Sequence, residues 1–454
     1  MFERSVSEDE IASSQQEFEK EYPGYASTRV LDDLRASDYS RLDEQGHIYL
    51  DYTGGGLYSD RQIRAHAEFL RHSVLGNPHS SNPTSAFTTE RVENCRNSVL
   101  RFFNAPSDEY IVIFTANASQ ALKLVGEAYP FDSGDQLLLS FDNHNSVLGI
   151  REFDRACGAE TRYVPVIPPD MRISDEVLES YLDMETSAKN RLFAFPAQSN
   201  FSGVQHPLEW IGLARSKGWD VLLDAAAFVP TNRLDLSRWK PDHVAISFYK
   251  IFGYPTGIGA LISRREALQK LHRPWFAGGT ITVASVQADQ YYLADGAEGF
   301  EDGTLDYANL PAVCLGLDLI TEVGVDVIHE RVGCLSHWLI TRLLELKHSN
   351  GEPIVRLYGP PEREMRGGTV TINIYDSSGT VIDHQEVERR ANEWRISLRT
   401  GCFCNPGAGE MAMGLSRDEM ITCMTGPGAR MSLEEFRQCI DGKSTGAVRV
   451  STGL

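Results

Sequence analysis

The sequence is poor in cysteine and in basic residues, and it lacks long apolar runs. Eight cysteines among 454 residues do not suggest a disulfide scaffold, and in a reducing compartment a cysteine outside the core is more often reactive or metal-bound. The sequence has 43 basic and 63 acidic residues, and the resulting net charge of -20 repels phosphate backbones and anionic membranes. No apolar run approaches the roughly 20 residues of a membrane span, and residues 1–4 lead into acidic sequence that differs from a signal peptide. We therefore expect a cytoplasmic protein that binds small molecules and proteins, with no nucleic-acid and no membrane partner.

Between residues 88 and 263, helical patterns alternate with short β-rich runs. These runs cover residues 111–115, 136–140, 162–167, 192–196, 221–224 and 244–247. Such alternation predicts a mostly parallel sheet covered by helices on both faces. Ligands of such sheets bind beyond the carboxyl ends of the strands. The polar residues at or just past those ends are Ser119, His144, Asn200, Asp224 and Lys250, and we expect the sheet to bring them together.

The two ends of the chain follow a different pattern. Ser7 and Glu10 can form a capping box that opens a short acidic helix. Beyond about residue 320, helices are predicted over 325–347 and 383–394, and strands over 354–358 and 369–374. The glycine- and methionine-rich stretch 406–431 predicts a mobile loop with a short helix. We therefore predict a large α/β domain at 40–320 and a smaller α/β domain at 321–454, which the N-terminal arm 1–39 joins.

The stretch Ser247-Phe248-Tyr249-Lys250 follows an apolar run and leads into the Gly/Pro-rich residues 253–259. A lysine at the end of a buried strand, between hydroxyl residues and a glycine loop, is placed for Schiff-base chemistry. A strand-end lysine that extends into solvent gives the same local pattern.

Two further stretches bear on this choice. Residues 114–119 end a strand and open a helix, so their N–H groups and the Ser119 hydroxyl suit a phosphate, although an ordinary helix cap looks the same. Asp224 ends an apolar run and precedes three alanines and a phenylalanine, a setting in which a carboxylate needs a cationic partner. A protonated pyridine nitrogen is one such partner, and capping a turn is the alternative role for Asp224.

Asp224 and the pattern Ser-x-x-Lys-x-x-Gly-x-Pro-x-Gly-x-Gly over residues 247–259 together resemble the class V, fold-type-I pyridoxal phosphate enzymes. Within this class the chain is most similar to the amino-terminal, cysteine desulfurase-like domain of the molybdenum cofactor sulfurase family. The similar stretches are residues 196–203, 247–253, 300–304 and 399–407. The resemblance runs from about residue 48 to the C-terminus. It implies an aminotransferase-like α/β fold, with a mostly parallel sheet in the large domain and a smaller α/β domain, and pyridoxal 5'-phosphate as the cofactor.

The resemblance also implies the cofactor-binding residues. Lys250 would form the imine with the cofactor, Asp224 would contact the pyridine nitrogen, His144 would stack on the ring, and Asn200 would lie near the ring hydroxyl. The phosphate would be held by Ala118, Ser119, Ser247 and Tyr249. Gly279 and Thr280 would reach the phosphate of a second subunit, which implies a homodimer.

Arg449 matches the family's binder of the substrate carboxylate, and Arg399 would assist it, because a planar guanidinium can grip both oxygens. A lone arginine in a strand is, however, usually a surface residue. Cys404 matches the position of the persulfide-forming cysteine, and the turn signal Asn405-Pro406-Gly407 places its thiol on a loop.

A metal site is the competing interpretation of these cysteines. It would use Cys402 and Cys404 with Cys423 or Cys439. The C-x-C spacing without a second close pair departs from the usual zinc spacings. We therefore expect no metal ion.

The implied activity is that of a cysteine desulfurase, which cleaves the C–S bond of L-cysteine or a cysteine derivative. Lys250 would move the Cα proton, and the Cys404 thiolate would attack the sulfur. Alanine and an enzyme persulfide result, and a sulfur-acceptor protein or small molecule collects the sulfur. An unperturbed thiol is only about 3% thiolate at pH 7, so His144 or nearby cations must help ionise it. The alternatives are a C–S lyase or aminotransferase of the same class that forms no persulfide, and a non-catalytic sulfur-carrier scaffold.

The sequence departs from the family at three points. Gly409 stands where a further cysteine is expected, so we expect no sulfur relay through that position. Ala227 replaces a polar residue near the ring hydroxyl, so tuning of the ring is expected to differ. The sequence ends at Leu454 with no counterpart of the family's final helix or molybdenum-cofactor-binding domain. Sulfuration of that cofactor by this chain alone is therefore not expected.

Overall fold

The structure is a computed structural model that describes residues 7–78, 80–184, 187–424, 431–440 and 444–453. Its α-helices are α1 (Glu8–Glu21), α2 (Val30–Asp38), α3 (Arg41–Glu44), α4 (Asp60–His72), α5 (Pro83–Phe102), α6 (Ala118–Ala128), α7 (Asn145–Leu148), α8 (Arg151–Cys157), α9 (Asp175–Leu182), α10 (Glu209–Ser216), α11 (Phe248–Phe252), α12 (Arg265–Leu268), α13 (Leu310–Val323), α14 (Val325–Glu345), α15 (His384–Glu393), α16 (Pro406–Met413), α17 (Arg417–Cys423) and α18 (Leu433–Cys439).

The strands are β1 (Ile48–Tyr49), β2 (Tyr110–Thr115), β3 (Gln136–Ser140), β4 (Glu160–Val164), β5 (Arg191–Pro196), β6 (Asp220–Asp224), β7 (His243–Ser247), β8 (Gly259–Arg264), β9 (Ile281–Ser285), β10 (Gln290–Leu293), β11 (Val355–Tyr358), β12 (Thr369–Ile374), β13 (Ile396–Ser397), β14 (Arg399–Gly401) and β15 (Ala447–Ser451). Two 3-10 helices cover Pro23–Thr28 and Glu298–Phe300.

A seven-stranded sheet in the order β2-β8-β7-β6-β5-β3-β4 forms the centre of the molecule. The neighbours among β3 to β7 pair in parallel, whereas β8 is antiparallel to both β2 and β7. The prediction of a mostly parallel sheet is therefore confirmed. The reversed strand β8 was not predicted, because it begins within the Gly/Pro-rich stretch that favours a loop.

Both faces of this sheet are covered by apolar side chains. Strands β2 and β3 are buried at every position. Successive residues of β6 point into opposite layers, since Val221 and Leu223 belong to one core cluster and Leu222 to the other. Each side chain so buried contributes about 1.5–3 kcal/mol to stability. Burial on both faces explains why these strands read as continuous apolar runs.

A second, antiparallel sheet has the order β11-β12-β15-β14. Its apolar face includes Val370, Ile372 and Val448, and Ile340 of α14 packs against it. The strands predicted near residues 354–358 and 369–374 are present as β11 and β12. Because β14 pairs with β15, the sheet places Arg399 directly opposite Arg449.

The N-terminal residues pack against α14. A capping box between Ser7 and Glu10 starts α1, as the sequence predicts. Phe18 and Tyr22 at the end of α1 form a small apolar cluster with Cys334 of α14. Arg331 of α14 donates a hydrogen bond to the carbonyl oxygen of Thr28 at 3.2 Å. The arm is thus fixed to the helix that covers the second sheet.

The sequence predicts a mobile loop with a short helix over residues 406–431, whereas the described part of this stretch contains two short helices. Helices α16 and α17 occupy most of it, and the side chains of Asn405 and Ser416 cap their N-termini. Methionine is a good helix former, and Asn-Pro is a helix-start signal, so the local sequence is compatible with both helices. Cys423 forms a disulfide with Cys439. Residues 425–430 lie outside the described part of the chain.

Within the residues that the structure describes, we find no helix that combines the length and the apolar composition needed to cross a membrane.

Candidate active site

A cavity of about 320 Å³ lies at the carboxyl ends of the central strands. This volume falls in the range of about 300–1,000 Å³ that is usual for ligand pockets. Eight of the residues singled out by the sequence line it, namely Ala118, Ser119, His144, Asn200, Asp224, Ser247, Tyr249 and Lys250. Residues far apart in the sequence therefore meet at the carboxyl ends of the strands, where the sequence pattern predicts a ligand site.

The N-terminus of α6 forms one end of the cavity. Asn117 caps this helix by accepting a hydrogen bond from the Gln120 N–H at 3.0 Å. The Ala118 N–H donates to the Ser247 hydroxyl at 2.9 Å, and the exposed Ser119 hydroxyl lies 2.6 Å from that of Ser146. A helix N-terminus surrounded by hydroxyl groups has the donors and the partial positive charge that a phosphate needs.

Asp224 supplies a carboxylate to the same cavity. It ends β6, only 8% of its surface is exposed, and its Oδ1 accepts a hydrogen bond from the Ala226 N–H at 3.0 Å. It therefore caps a turn, as the simpler interpretation expects, and also lines the cavity. A buried carboxylate of this kind is stabilised by a cationic group placed beside it.

Lys250 lies in the one-turn helix α11, directly after β7. Burial lowers the pKa of its amine, Asp224 opposes this, and Arg449 and Arg399 lower the pKa further. Gly253 ends the helix in the left-handed conformation with φ of 79°, and a Cβ at that position would lie 2.2 Å from the backbone carbon of Leu57. Backbone packing thus requires glycine here and fixes the short helix that presents Lys250.

His144 begins α7, and its Nδ1 accepts a hydrogen bond from the Ser146 N–H at 3.1 Å. Burial lowers the pKa of His144, and the charges of Lys250 and Arg449 add to this, although Asp224 opposes it. The ring is therefore neutral at pH 7, with Nδ1 as acceptor. The expectation that His144 supplies positive charge to ionise a thiol is not met by this environment.

The loop that carries Cys404 is tied down at its backbone. Phe403 and Cys404 both have φ of 56°, a left-handed conformation that costs a residue with a side chain about 1–2 kcal/mol. Asn200 donates to the Phe403 carbonyl at 2.7 Å, and the Asn145 N–H donates to the Cys404 carbonyl at 2.7 Å. Cys404 is exposed, so a loop fixed by backbone hydrogen bonds to Asn145 and Asn200 presents its thiol to solvent.

Asn405 connects this loop to the core, a role that the sequence analysis did not assign. Its Nδ2 donates to the Asp142 carbonyl at 2.7 Å and to Asn200 Oδ1 at 2.9 Å. Its Oδ1 accepts from the Ala408 N–H at 3.2 Å and so caps α16. The Asn-Pro dipeptide is a helix-start signal that could have revealed the cap.

Arg449 is buried at the other side of Asn200. Its Nη1 donates to the Asn200 carbonyl at 3.0 Å, and its guanidinium carbon lies 4.7 Å from the centre of the Phe403 ring. Burial lowers the pKa of Arg449, whereas its hydrogen bond with Asp51 and the charge interaction with Cys404 act in the opposite direction. Arg449 is thus the cation next to the Cys404 loop.

Gly279 and Thr280 lie apart from this cavity. Gly279 lines a separate, polar pocket of about 910 Å³ together with Gly76 and Asn77. Thr280 is fully buried, and its hydroxyl accepts from the Ala277 N–H and donates to the Ala277 carbonyl, both at 2.9 Å. The structure therefore does not bring these two residues to the cavity of their own chain.

The cysteines proposed for a metal site are separated in the structure. Cys423 and Cys439 bond to each other, and Cys402 and Cys404 are free. Among the described residues, no group of three or more His, Cys, Asp or Glu side chains could hold a metal ion.

Ala227 and Gly409 are two of the positions at which the sequence departs from the family. Ala227 lines the cavity, as the resemblance implies. Gly409 is buried within α16, and a Cβ at this position would lie 3.1 Å from that of Cys402.

Comparison with protein families matches residues 48–433 to the family described as "Aminotransferase class-V". The chain therefore belongs to the class-V aminotransferase family. Among curated proteins it is similar to the molybdenum cofactor sulfurase of Solanum lycopersicum, with 38% identity over 98% of this chain and 58% of that protein. It is 37% identical to the molybdenum cofactor sulfurase of Bos taurus, over 93% of this chain and 50% of that protein. The chain thus spans little more than half the length of these relatives.

Solved structures confirm the fold class. A cysteine desulfurase from Thermococcus onnurineus superposes with a TM-score of 0.75 at 23% identity and covers 93% of each chain. A cysteine desulfurase from Escherichia coli gives a TM-score of 0.70 at 20% identity, again over 93% of each chain. A cystine C–S lyase gives 0.65 at 19% identity, over 89% of this chain and 92% of the other. At these identities the structures establish a shared fold, and the fold is common to desulfurases and lyases.

The family uses pyridoxal 5'-phosphate, and the residues of the cavity fit this cofactor. The N-terminus of α6 and the Ser247 hydroxyl suit the phosphate, and the buried Asp224 suits a protonated ring nitrogen. Lys250, with its lowered pKa, suits covalent attachment of the cofactor aldehyde. The chemistry of the donors and the cavity volume thus agree with the family.

Proposed function

We propose that the chain is a pyridoxal phosphate-dependent cysteine desulfurase that transfers sulfur through a persulfide. The observation that carries this proposal is the position of Cys404. An exposed thiol is carried by a strained loop whose backbone is hydrogen-bonded to Asn145 and Asn200 and whose Phe403 ring packs on the buried Arg449. A cavity suited to the cofactor adjoins these residues through Asn200. The resemblance to molybdenum cofactor sulfurases over nearly the whole chain supports the assignment.

The residues of the cavity would divide the work of binding. The N-terminus of α6 with Ser247 and Tyr249 would hold the phosphate, Asp224 the ring nitrogen, His144 one face of the ring, and Asn200 the region of the ring hydroxyl. The neutral state of His144 suits stacking against an aromatic ring, since it brings no second positive charge next to Lys250.

Arg449 and Arg399 would bind the α-carboxylate of cysteine. When bound, pyridoxal phosphate supplies an electron sink for the electrons left at Cα once the proton is removed. The amine of Lys250 takes that proton, and a lowered pKa favours the unprotonated base that this step needs. Lys250 then returns a proton to the product.

The Cys404 thiolate attacks the sulfur of the substrate. A bond forms between the two sulfur atoms while the C–S bond breaks, and the electron pair of that bond stays on carbon. Protonation of the carbon gives alanine, and the sulfur remains on Cys404 as a persulfide. Arg449 is buried against the loop that carries this cysteine, with its guanidinium over the Phe403 ring. A sulfur-acceptor protein or a small thiol then collects the sulfur.

We further propose a homodimer, in which Gly279 and Thr280 serve the phosphate of the second subunit. Gly279 lines an open, polar pocket outside the cavity of its own chain, which supports this arrangement, whereas the buried Thr280 does not line that pocket. The cofactor-binding domain would cover residues 40–320, and the smaller domain residues 321–454 with the arm 1–39.

We also propose that the protein is located in the cytoplasm. Trapping of thiols in freshly lysed cells would test it, since a reducing compartment should leave Cys423 and Cys439 largely unbridged.

Replacement of Cys404 by serine tests the proposed function. The hydroxyl of Cys404→Ser keeps the size and the loop but does not ionise near pH 7. Cysteine should still shift the absorbance of the cofactor, because Lys250, Asp224 and Arg449 remain. Formation of alanine and protein persulfide should fall by about 10²-fold or more. Alanine analysis and mass spectrometry of the protein after incubation with cysteine provide the measurement.

Cys402→Ser is the matched control, because Cys402 is also exposed and lies two positions away. It should keep most of the turnover. The rival function is a C–S lyase of the same fold, in which Cys404 plays no part. Release of sulfide by Cys404→Ser at the wild-type rate would establish the lyase and exclude the persulfide mechanism. A non-catalytic scaffold would form neither product, and the presence of both Lys250 and Asp224 in one cavity argues against it.

A further inference from the structure

Two guanidinium groups at the proposed carboxylate site share one acid, Asp51. Arg449 Nη2 donates to Asp51 Oδ1 at 2.9 Å. Arg399 donates to Asp51 Oδ2 from Nη2 at 2.6 Å and from Nε at 3.0 Å. The Asp51 side chain is only 12% exposed. A single, nearly buried carboxylate therefore fixes both arginines.

The strand pairing makes this acid necessary. Arg399 and Arg449 are direct cross-strand partners in β14 and β15, and like charges at such positions repel each other. Burial alone would raise the pKa of Asp51, but the hydrogen bonds and charges of the two arginines hold it below its ordinary value. Asp51 is thus ionised at neutral pH and offsets the repulsion.

The chain around Asp51 is built to hold the carboxylate in place. The Ser451 N–H donates to the Leu50 carbonyl at 2.8 Å, which ties this segment to the strand that carries Arg449. A Cβ at Gly54 would lie 2.5 Å from Asp51 Oδ2 and 2.7 Å from Arg399 Nη2. Glycine at position 54 therefore leaves the space in which the carboxylate and the guanidinium meet.

We infer that Asp51 is a positioning residue for recognition of the substrate's α-carboxylate. It orients Arg449 and Arg399 and leaves the cluster with one net positive charge, which matches a ligand with one carboxylate. Each terminal nitrogen of a guanidinium carries two N–H groups, so the single bonds from Arg449 Nη2 to Asp51 and from Nη1 to Asn200 leave donors for the substrate. The inference rests on the proposed role of Arg449 in the function described above.

Asp51→Asn removes the charge and keeps the shape of the side chain. The test titrates the cofactor-loaded protein with L-cysteine and L-alanine, and with cysteamine, which has the amine and thiol but no carboxylate. The absorbance of the cofactor reports binding. The dissociation constants of the two amino acids should rise about ten- to hundredfold, as expected for a lost charge-assisted hydrogen bond. Binding of cysteamine should change by less than about twofold, since it does not use the arginines.

Asp326→Asn is the matched control. Asp326 also pairs with an arginine, Arg233, at 2.9 Å, but both side chains are exposed and lie outside the cavity. It should bind all three compounds as the wild type does. The inference would be overturned if Asp51→Asn lowered the affinity for cysteamine as much as the affinity for the amino acids. Unchanged or tighter binding of the amino acids by this variant would overturn it as well.

A second variant covers the case in which two unpaired guanidinium groups prevent folding of Asp51→Asn. Asp51→Asn with Arg399→Gln restores a single positive charge, and it should still bind amino acids more weakly than the wild type without affecting cysteamine. An unchanged ratio of amino-acid to cysteamine affinity in this variant would also overturn the inference. L-alanine has no C–S bond to cleave, so its binding tests the role of Asp51 independently of the desulfurase reaction. The desulfurase reaction is tested separately: if it is wrong, wild-type protein incubated with cysteine carries no persulfide.

Discussion

Lys250 gains its chemical properties from its neighbours. Burial and the charges of Arg449 and Arg399 lower the pKa of its amine, and Asp224 limits the shift. Asp224 is the acid that raises this pKa most, and Asp51 raises it further, so the two carboxylates oppose the effect of burial and of the arginines. The ionisation of Lys250 is therefore adjustable by substitution at Asp224.

The first prediction concerns the pH at which the cofactor attaches to Lys250. Only the unprotonated amine attacks the aldehyde, so the attachment rate should rise with pH and level off above the pKa of Lys250. Because this pKa is lowered, the plateau should begin below the ordinary lysine value of about 10.4. Asp224→Asn removes the charge that raises the pKa and should move the plateau to still lower pH. Borohydride quenching of cofactor added to apoprotein, followed by mass spectrometry, measures the rate.

A plateau at or above the ordinary lysine value would contradict this account of the cavity. Lys217 provides an internal control on the same samples, because its hydrogen bond and ion pair with Asp183 at 2.5 Å raise its pKa. It should remain unlabelled at neutral pH.

Candidate residues that carry chemistry by their type could be proposed from the sequence, and candidates that act through other residues could not. Lys250 and Asp224 stand at strand ends, where periodicity alone indicates a ligand site. Asp51 lies in a glycine-rich stretch about 350 positions before Arg399, and no local pattern connects the two. Asn405 gave a turn signal, but its bonds to Asp142 and Asn200 depend on the tertiary fold.

At the scale of elements, the Cys404 loop is held by its junction with α16. Asn405 caps this helix and also binds the backbone of Asp142. The Asp142 side chain in turn pairs with His206 at 3.0 Å, with both groups almost fully buried. The loop is therefore anchored to a rigid part of the core, which can balance the strain of two successive left-handed residues.

The second prediction is that Asn405→Ala releases the Cys404 loop. It should lower the free energy of unfolding by about 1–3 kcal/mol, because a helix cap is lost and buried polar partners are left unpaired. Persulfide formation should fall more than cofactor binding, since Lys250 and Asp224 are untouched. Denaturant unfolding and persulfide analysis measure the two effects.

Ser416→Ala is the control for loss of a cap, because Ser416 caps the next helix, α17, in an exposed position. It should destabilise the protein by about 0.5–2 kcal/mol and leave the rate of persulfide formation unchanged. Equal loss of persulfide formation in both variants would mean that global stability, and not the anchoring of the loop, controls the thiol.

Glycine-rich sequence explains why strand β8 and the helices of residues 406–431 were difficult to predict. Strand β8 starts at Gly259, and a Cβ at this position would lie 2.6 Å from the backbone of Asn117, so close packing requires glycine here. Because glycine is uncommon in strands, the local sequence does not indicate a strand. Helices α16 and α17 lie in a stretch for which the sequence predicts one short helix only, because its glycines suggest a loop, whereas the caps of both helices are formed by single residues. Long apolar strands such as β3 and β5 were predicted because burial on both faces dominates their composition.

At the scale of the whole molecule, the hairpin β9–β10 bears on the proposed homodimer. Val283, Val286 and Tyr292 on this hairpin are 57%, 100% and 70% exposed. A two-stranded hairpin is at best marginally stable in water, and clustered exposed apolar side chains indicate an interaction surface. The hairpin follows Gly279 and Thr280 directly in sequence, so a second subunit that receives these residues would also cover it.

The last prediction is that the cofactor-loaded protein is a dimer and that Val286→Asp weakens it. Light scattering should give about twice the chain mass of 50.6 kDa for the wild type. A charge at a fully exposed position leaves the fold of one chain intact, but burial against a second chain would cost several kcal/mol, so the variant should dissociate at micromolar concentration. Ile11→Asp on α1, where Ile11 is 55% exposed, should remain dimeric. A monomeric wild type that retains its cofactor, or equal dissociation of both variants, would exclude this face as the dimer contact.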